Sequence, residues 1–255
     1  MTFLGCVLIE IRKTKRTFAL WLTLLSATFI PTIYFLFYLF KSTQPISEGG
    51  ANPWDKFFGL HLMAAGPLLI PLFVVLLTSL VLQIEHRANG IKKLYTLPVP
   101  RWYHYCSKLL VVCMMLFLAY FIFGITILGS GAILGQLKPI LALDLYEPEY
   151  LLFARTLFKS YIAVLAIVGL QFWLSFRVRN FVIPIGIGLV MVVAALLVHK
   201  AEEALYFPYA YNLLNLFQAD AIQATWMTKA SLLSLLVFVI TTVGGSLETS
   251  RMDIK

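Results

Sequence analysis

Charge is what this chain has least of. Asp, Glu, Lys and Arg make up 13% of its 255 residues, while apolar side chains make up 60%. A soluble domain carries roughly 25% charged and about 45–50% apolar residues, so a water-soluble fold is excluded. Cysteine is nearly absent: Cys6, Cys106 and Cys113 form no disulfide framework and match no metal-ligand spacing. They read as small apolar side chains. No Gly-Lys dipeptide occurs, so the Gly-x-x-x-x-Gly-Lys-Ser/Thr phosphate cradle is missing. Gly-x-Ser-x-Gly is missing too, and no Asp accompanies a His in an apolar run, which removes Ser–His–Asp chemistry. His199 and Glu203 would share one face of a helix, but the other histidines are His61, His86 and His104, and a pair alone makes a poor zinc site. Glu202-Glu203 would suit an intramembrane protease only with Arg at position 207, where the chain has Phe207. No catalytic residue, metal ligand or cofactor of its own is expected.

What is present is a set of long uncharged runs. Gaps of 24, 28, 29, 17, 20 and 18 residues without Asp, Glu, Lys or Arg begin after Arg16, Lys56, Lys108, Lys159, Arg179 and Lys229. A membrane-spanning helix needs about 20 mostly apolar residues, within about 17–25. Six spans follow, over approximately 17–40, 59–84, 109–135, 156–176, 181–198 and 230–247. The fourth is marginal unless Arg155 and Lys159 lengthen it by extending their charges to the headgroups. A seventh uncharged stretch, 204–219, holds Pro208, Asn212, Asn215 and Gln218 and reads as interfacial or re-entrant, because amides and irregular backbone are costly against lipid.

The net charge of +8 sets topology. Of the 20 Lys and Arg, 13 fall in residues 1–16, 85–108, 177–179 and 248–255, on one side of a six-span chain. Lys and Arg accumulate on the cytoplasmic side, so both termini are expected there. No basic stripe interleaved with exposed aromatics is present, which argues against nucleic acid as a partner. The N-terminus lacks the small-residue cleavage site of a secretory signal, so the first span reads as an uncleaved anchor.

Several segments have local character. Phe3, Leu4, Val7, Leu8 and Ile11 repeat at helical spacing, with Glu10 and Lys13 off that face, which predicts an amphipathic helix at the membrane surface or an extension of the first span. Pro31 in the first span, Gly66-Pro67 and Pro71 in the second, and Pro184 in the fifth remove backbone donors. They are candidate hinges or pathway positions. Residues 199–229 form the largest external segment, with Tyr206, Phe207, Tyr209 and Tyr211 suited to short helices at the outer headgroup level. Gly131-x-x-x-Gly135 offers a close-packing face. No Asp, Glu, Lys or Arg stands at mid-depth in any span, which disfavours an ion-coupled carrier and points to an external energy source.

The most informative stretch is the basic island from Glu85 to Lys108. Ala88–Tyr95 predicts a short helix with Ile91, Leu94 and Tyr95 on one side and Lys92 and Lys93 on another. Leu97-Pro98-Val99-Pro100 stops it, and Arg101-Trp102-Tyr103 returns the chain to the membrane. Composition alone also allows an ordinary topology-setting loop. The pattern Glu85, Gly90, Leu94, Leu97-Pro98-Val99, Arg101, Lys108 resembles the loop after the second span in ABC-2 type transporter permeases, among them small bacterial exporters of the bacteriocin-immunity and multidrug kinds. That resemblance implies an all-α integral membrane fold over 1–255, a single transmembrane domain with six helices. It adds an N-terminal interfacial helix, a cytoplasmic coupling helix between spans 2 and 3, and short external helices between spans 5 and 6.

It also implies a bacterial cytoplasmic (inner) membrane location and a separate ABC-type ATPase subunit that binds the ATP. A second permease copy or a related permease, as homo- or heterodimer, and membrane lipid complete the partners. The implied ATPase-coupling residues are Glu85, Gly90, Ile91, Lys93, Leu94, Leu97, Pro98, Arg101 and Lys108. The substrate implied is a hydrophobic or amphipathic peptide, lipid or drug moved outward. The alternatives are a membrane scaffold or assembly factor, or an ion-coupled carrier, working without such an ATPase.

Overall fold

The structure, a computed structural model, describes residues 2–15, 17–41, 44–46, 52–87, 100–178, 180–217 and 226–251, with the side chains of 85–87 and 251 outside that description. Among the described residues every regular element is a helix. In chain order these are α1 (Phe3–Thr14), α2 (Phe18–Phe40), α3 (Pro53–Ala65), α4 (Leu69–Arg87), α5 (Arg101–Leu137), α6 (Tyr150–Arg177), α7 (Val182–Val198), α8 (Tyr211–Phe217) and α9 (Lys229–Arg251), with short 3-10 turns at Pro139–Leu141, Glu202–Tyr206 and Pro208–Ala210. Capping explains several of their starts. The Thr2 hydroxyl accepts from Gly5 N–H at 3.4 Å, and Asn52 Oδ1 accepts from Trp54 N–H at 3.0 Å with Pro53 in the first helical turn. Asn180 Oδ1 accepts from Val182 N–H at 3.1 Å ahead of α7.

Four helices are long and apolar enough to cross a membrane: α2, α5, α6 and α9. A fifth crossing arises if α3 and α4, bent by 49° at their junction, count as one broken span. The expected fifth span corresponds to α7, which is apolar but has only 17 residues. At 1.5 Å per residue it reaches about 26 Å, short of a hydrocarbon core of about 30 Å. The expected fourth span is not marginal, because α6 runs for 28 residues. Lys159 does not reach outward from it either, being 6% exposed, and the Arg155 guanidinium lies over the Trp226 ring at 4.8 Å.

α6 is the axis of the bundle. All eight residues from Ile162 to Gly169 are buried, the pattern of a helix enclosed on all sides. It packs against α4, α5, α7, α8 and α9. α9 is fixed to it by the Ser234 hydroxyl, which donates toward the Ile162 and Ala163 carbonyls and accepts from Ala166 N–H at 2.9 Å. α2 packs on α5 and turns outward an exposed stripe of Phe18, Trp21, Leu25, Phe29, Ile33 and Phe37, at the three-to-four-residue spacing of a single helix face.

The two ends of the bundle differ. One, called the terminal end here, gathers α1, the start of α5 and the ends of α6 and α9. There the Tyr105 ring packs edge-on against Phe172 and Phe176, and Glu248 accepts from Trp173 Nε1 and Arg177. At the far end the Trp54 indole N–H reaches the Leu143 and Tyr146 carbonyls, and Phe58 stacks on Phe153 at 4.0 Å. Gly131 serves this end: a Cβ there would fall 2.4 Å from the Trp54 ring, so its missing side chain makes room for α3.

Two segments can be placed in more detail. α1 turns the side carrying Glu10 toward the bundle and leaves Leu4 and Leu8 of the predicted apolar face outward. Cys6, Val7, Glu10 and Thr14 are buried, whereas Leu4 is 72% and Leu8 59% exposed. Helical spacing fits both faces, and the charge of Lys108 on α5 selects the one carrying Glu10. Second, the stretch after α7 is not a surface band of aromatics. Tyr206 is exposed, but Tyr209, Tyr211, Asn212, Leu213 and Leu214 are buried inside the bundle. Their amides and hydroxyls find partners there, which removes the cost that would hold them at the surface.

Candidate functional site

Two groups of residues stand out, one at the terminal end and one around the α3–α4 break and the first turn of α7. At the terminal end Lys108 Nζ donates to Glu10 Oε2 at 2.5 Å, and Lys13 Nζ donates to Glu10 Oε1 at 2.7 Å. Glu10 is 5% exposed and Lys108 2%. Burial alone raises the Glu10 carboxyl pKa, but the charges and hydrogen bonds of Lys108 and Lys13 outweigh it and hold the group below its ordinary 4.5. Beside the pair, Phe3 stacks on Trp102 at 6.4 Å and meets the edge of Tyr103 at 5.6 Å. The start of α1 and the first residues of α5 thus form one unit.

The sequence-derived coupling residues divide into two sets. Arg101 opens α5 and Lys108 lies two turns into it, in the buried pair. Glu85 belongs to the last turn of α4, with its side chain outside the description. Gly90, Ile91, Lys93, Leu94, Leu97 and Pro98 lie outside the described residues. In the chain they fall between the end of α4 and the start of α5.

The candidate hinges take different places in the fold, and the 49° bend falls at Gly66–Pro67. Gly66 and Pro67 belong to the turn between α3 and α4, Pro71 is near the start of α4, Pro184 stands in the first turn of α7, and Pro31 is buried within α2. Two of these positions present carbonyls that are taken by side-chain amides. Asn212 Nδ2 donates to the Gly66 carbonyl at 2.8 Å, and Gln171 Nε2 donates to the Pro184 carbonyl at 2.6 Å. Asn212 Oδ1 accepts from the Ser160 hydroxyl at 2.7 Å, and Ser160 accepts in turn from Tyr120 OH at 2.9 Å. Gln171 Oε1 accepts from Tyr209 OH at 3.0 Å. Asn212 and Gln171 are fully buried. In such surroundings a satisfied amide fixes geometry and an unsatisfied one is costly.

An apolar cleft of about 320 Å3 opens between α2, the α3–α4 break and α5, with Leu25, Phe29, Leu69 and Phe123 among its walls. Its polar groups are spent internally. Ser26 donates to the Thr23 carbonyl, and Tyr120 OH belongs to the chain leading to Gly66. A surface of this kind takes hydrocarbon and offers nothing to an ion.

Other polar clusters are poorer. His61 is buried between Tyr34 and Phe57, its Nδ1–H donating to the Phe57 carbonyl at 2.7 Å, and its Nε2 has no hydrogen-bond partner. His199 bonds the Leu196 carbonyl rather than Glu203. Among the described residues no group of three His, Cys, Asp or Glu could hold a metal ion, and the buried charged side chains are Glu10, Lys108 and Lys159.

Sequence reasoning missed Glu10, Gln171, Ser160 and Tyr120 as site residues. The available signal was polarity inside an apolar context, an amide in α6 and an acid on an otherwise apolar or basic α1. The partners of both are distant in the chain.

A family model described as "ABC-2 family transporter protein" matches residues 6–195, from α1 through most of α7, including the whole island between α4 and α5. No curated protein and no solved structure matches the chain.

Proposed function

The chain belongs to the ABC-2 transporter family, and from that premise we propose that it is the membrane-spanning permease subunit of an ATP-binding cassette exporter. It moves a hydrophobic or amphipathic substrate outward, and a separate ABC-type ATPase subunit supplies the energy. The observation that carries this reading is the family match across the island after α4. The buried Glu10–Lys108 contact supports it, because it braces the point where that island re-enters the bundle. A segment that receives a push transmits it only if its exit is rigid, and a doubly bonded buried ion pair is a rigid joint.

In this reading α2, the bent pair α3–α4, α5, α6, α7 and α9 are six spans of one domain covering 1–255, and both termini and the island are cytoplasmic. Glu85 anchors the coupling helix at the end of α4. Gly90, Ile91, Lys93, Leu94, Leu97 and Pro98 seat it in the ATPase, while Arg101 and Lys108 orient its return. Two permease chains, identical or related, enclose the pathway in a bacterial inner membrane. Closure of the ATPases around ATP tilts the spans about the break at Gly66–Pro67 and the first turn of α7 at Pro184. The absence of buried carboxylates from the middle of the described bundle favours an outside energy source over ion coupling. The apolar cleft beside the α3–α4 break favours a lipid, a hydrophobic peptide or a drug over an ion.

The test is copurification. The chain is expressed with its neighbouring genes, purified in mild detergent and assayed for ATPase activity, beside a Gly90→Trp, Leu94→Asp variant. ATPase that copurifies with the native chain and is lost with the variant is the expected result. A stable chain with no ATPase, or one whose ATPase ignores the variant, returns the protein to the scaffold or carrier readings.

A further inference from the structure

The α3–α4 break and the first turn of α7 lie on different elements, yet one short segment reaches both. Residues 208–217 run from the 3-10 turn Pro208–Ala210 into α8. From this segment Asn212 takes the Gly66 carbonyl at the α3–α4 break, and Tyr209 holds Gln171, whose amide takes the Pro184 carbonyl in α7. Asn215 adds a third attachment, donating to the Lys159 carbonyl on α6 at 3.3 Å and to Ser231 on α9 at 3.1 Å.

The depth of the segment is set by its partners. Tyr120, at the end of the Asn212 chain, is twelve residues beyond Lys108 on α5, about 18 Å along the axis at 1.5 Å per residue. With Lys108 at one boundary, that is past the middle of a core of about 30 Å. The segment is therefore inserted among the spans, and its polar side chains are stable there because each has a partner.

The surrounding packing is cut to fit these bonds. A Cβ at Gly66 would fall 2.1 Å from Leu216 Cδ1 of α8, so the break is seated against the segment itself. A Cβ at Gly188 would meet Val75 at 2.6 Å and Gln171 Oε1 at 3.0 Å, so glycine on α7 leaves the space that the Gln171 amide occupies. On the opposite flank of α8 a pocket of about 460 Å3 is lined by His199, Lys200, Leu214 and Phe217, where the Phe217 ring lies 5.0 Å from that of His199 at the end of α7.

We propose that residues 208–217 form a double clasp that holds the α3–α4 break and the first turn of α7 in one arrangement, with Asn212 and Tyr209 as positioning residues, and that substrate passage requires its release toward the pocket at the end of α7. The transport part rests on the permease reading, whereas the clasp itself is a property of this chain alone. Because Asn212 and Gln171 are bonded on both sides, releasing one leaves a buried amide unsatisfied, so each site is favoured in its present form while the other stays closed. The two hinges then act together, which separately capped sites would not do.

Amide hydrogen exchange of the full chain in lipid nanodiscs, read by mass spectrometry, separates these cases. Asn212→Ala and Tyr209→Phe are each expected to raise exchange roughly three- to tenfold, the range set by one buried hydrogen bond. The rise should appear both around residues 66–72 and around 182–188. Exchange that rises only at the site nearest the substitution overturns the double clasp, since a purely local cap would give that result. A Gly66→Cys, Leu216→Cys pair, in a chain with Cys6, Cys106 and Cys113 replaced by Ala, is expected to cross-link on oxidation and to abolish the ATPase of the copurified complex in lipid nanodiscs, with recovery on reduction. A pair that fails to cross-link overturns the contact, and a cross-linked complex with full ATPase overturns the release. Absence of any copurified ATPase defeats the permease reading alone, because the exchange result stands without it.

Discussion

Glu10 and Lys108 lie 98 residues apart in the chain and 2.5 Å apart in the fold, each nearly sealed from solvent. The pair joins the first helix of the protein to the base of its longest one. Removing one member of a buried pair costs more than the pair itself contributes, because the survivor is left charged and poorly solvated.

Lys108→Ala is therefore expected to lower stability by about 3 kcal/mol, the low end of the usual range because Lys13 remains as a second partner for Glu10. The double variant Glu10→Met, Lys108→Met is expected to be far less destabilised than the sum of Glu10→Met and Lys108→Met. Unfolding midpoints of these two singles and the double in detergent form the cycle, and additive losses would contradict the coupling. The Arg177–Glu248 pair provides a contrast: Arg177 is half exposed there, so Arg177→Ala should shift the midpoint far less than Lys108→Ala.

Acid should undock α1. The Glu10 carboxyl has its pKa held below 4.5, so its contribution is fully present above that value and is lost as pH falls through the lower folded value. Exchange of the α1 amides, corrected for the intrinsic pH dependence of exchange, should rise below about pH 4.5, where the unfolded carboxyl begins to bind protons. In Glu10→Gln the rise should disappear. A native profile flat from pH 6 to pH 3.5 would show that the pair does not hold the helix.

The outward side of α1 has its own consequence. Leu8 is 59% exposed and contacts no core, so Leu8→Ala should leave the midpoint in detergent within about 0.5 kcal/mol of native. Phe3→Ala removes both aromatic contacts to Trp102 and Tyr103 and should cost about 1–3 kcal/mol. Equal effects of the two changes would show that α1 does not dock through Phe3.

At the far end, Gly131→Val should displace the Trp54 ring, which stands 2.4 Å from where a Cβ would be. A loss of about 1–3 kcal/mol is expected from overpacking. Trp54→Phe removes the indole donor to the Leu143 and Tyr146 carbonyls and should cost about 1 kcal/mol in the same thermal assay. If Gly131→Val is silent, α3 does not pack where it is drawn.

These residues also show how far the sequence could be read. Uncharged runs found the helices because lipid leaves few alternatives to a self-bonded apolar helix, and Gly66-Pro67 with Pro71 marked the 49° bend because proline removes backbone donors. The 17-residue α7 was visible as a run but not as a full-length crossing. Asn212 and Asn215 were visible as polar residues out of place, yet which carbonyls they would take was not. Gly66 lies 146 residues from Asn212, and side-chain pairing at that range leaves no periodicity to read. Glu10 was legible as lying off the apolar face of α1, but the distant partner on α5 that buries it was not. Of the coupling residues, Arg101 and Lys108 sit at the base of α5, while Gly90 through Pro98 lie outside the described residues.

The pairing of α1 with α5 also sets an order of events during synthesis. Glu10 is made 98 residues before Lys108. At roughly 5–20 residues per second that is a wait of about 5–20 s, spent without its main partner. Two apolar segments, α2 and the α3–α4 pair, are made in that interval. Docking of α1 can occur only after the base of α5 has arrived. Protection of the α1 amides in a pulse-labelled nascent chain would therefore mark the moment at which α5 has inserted.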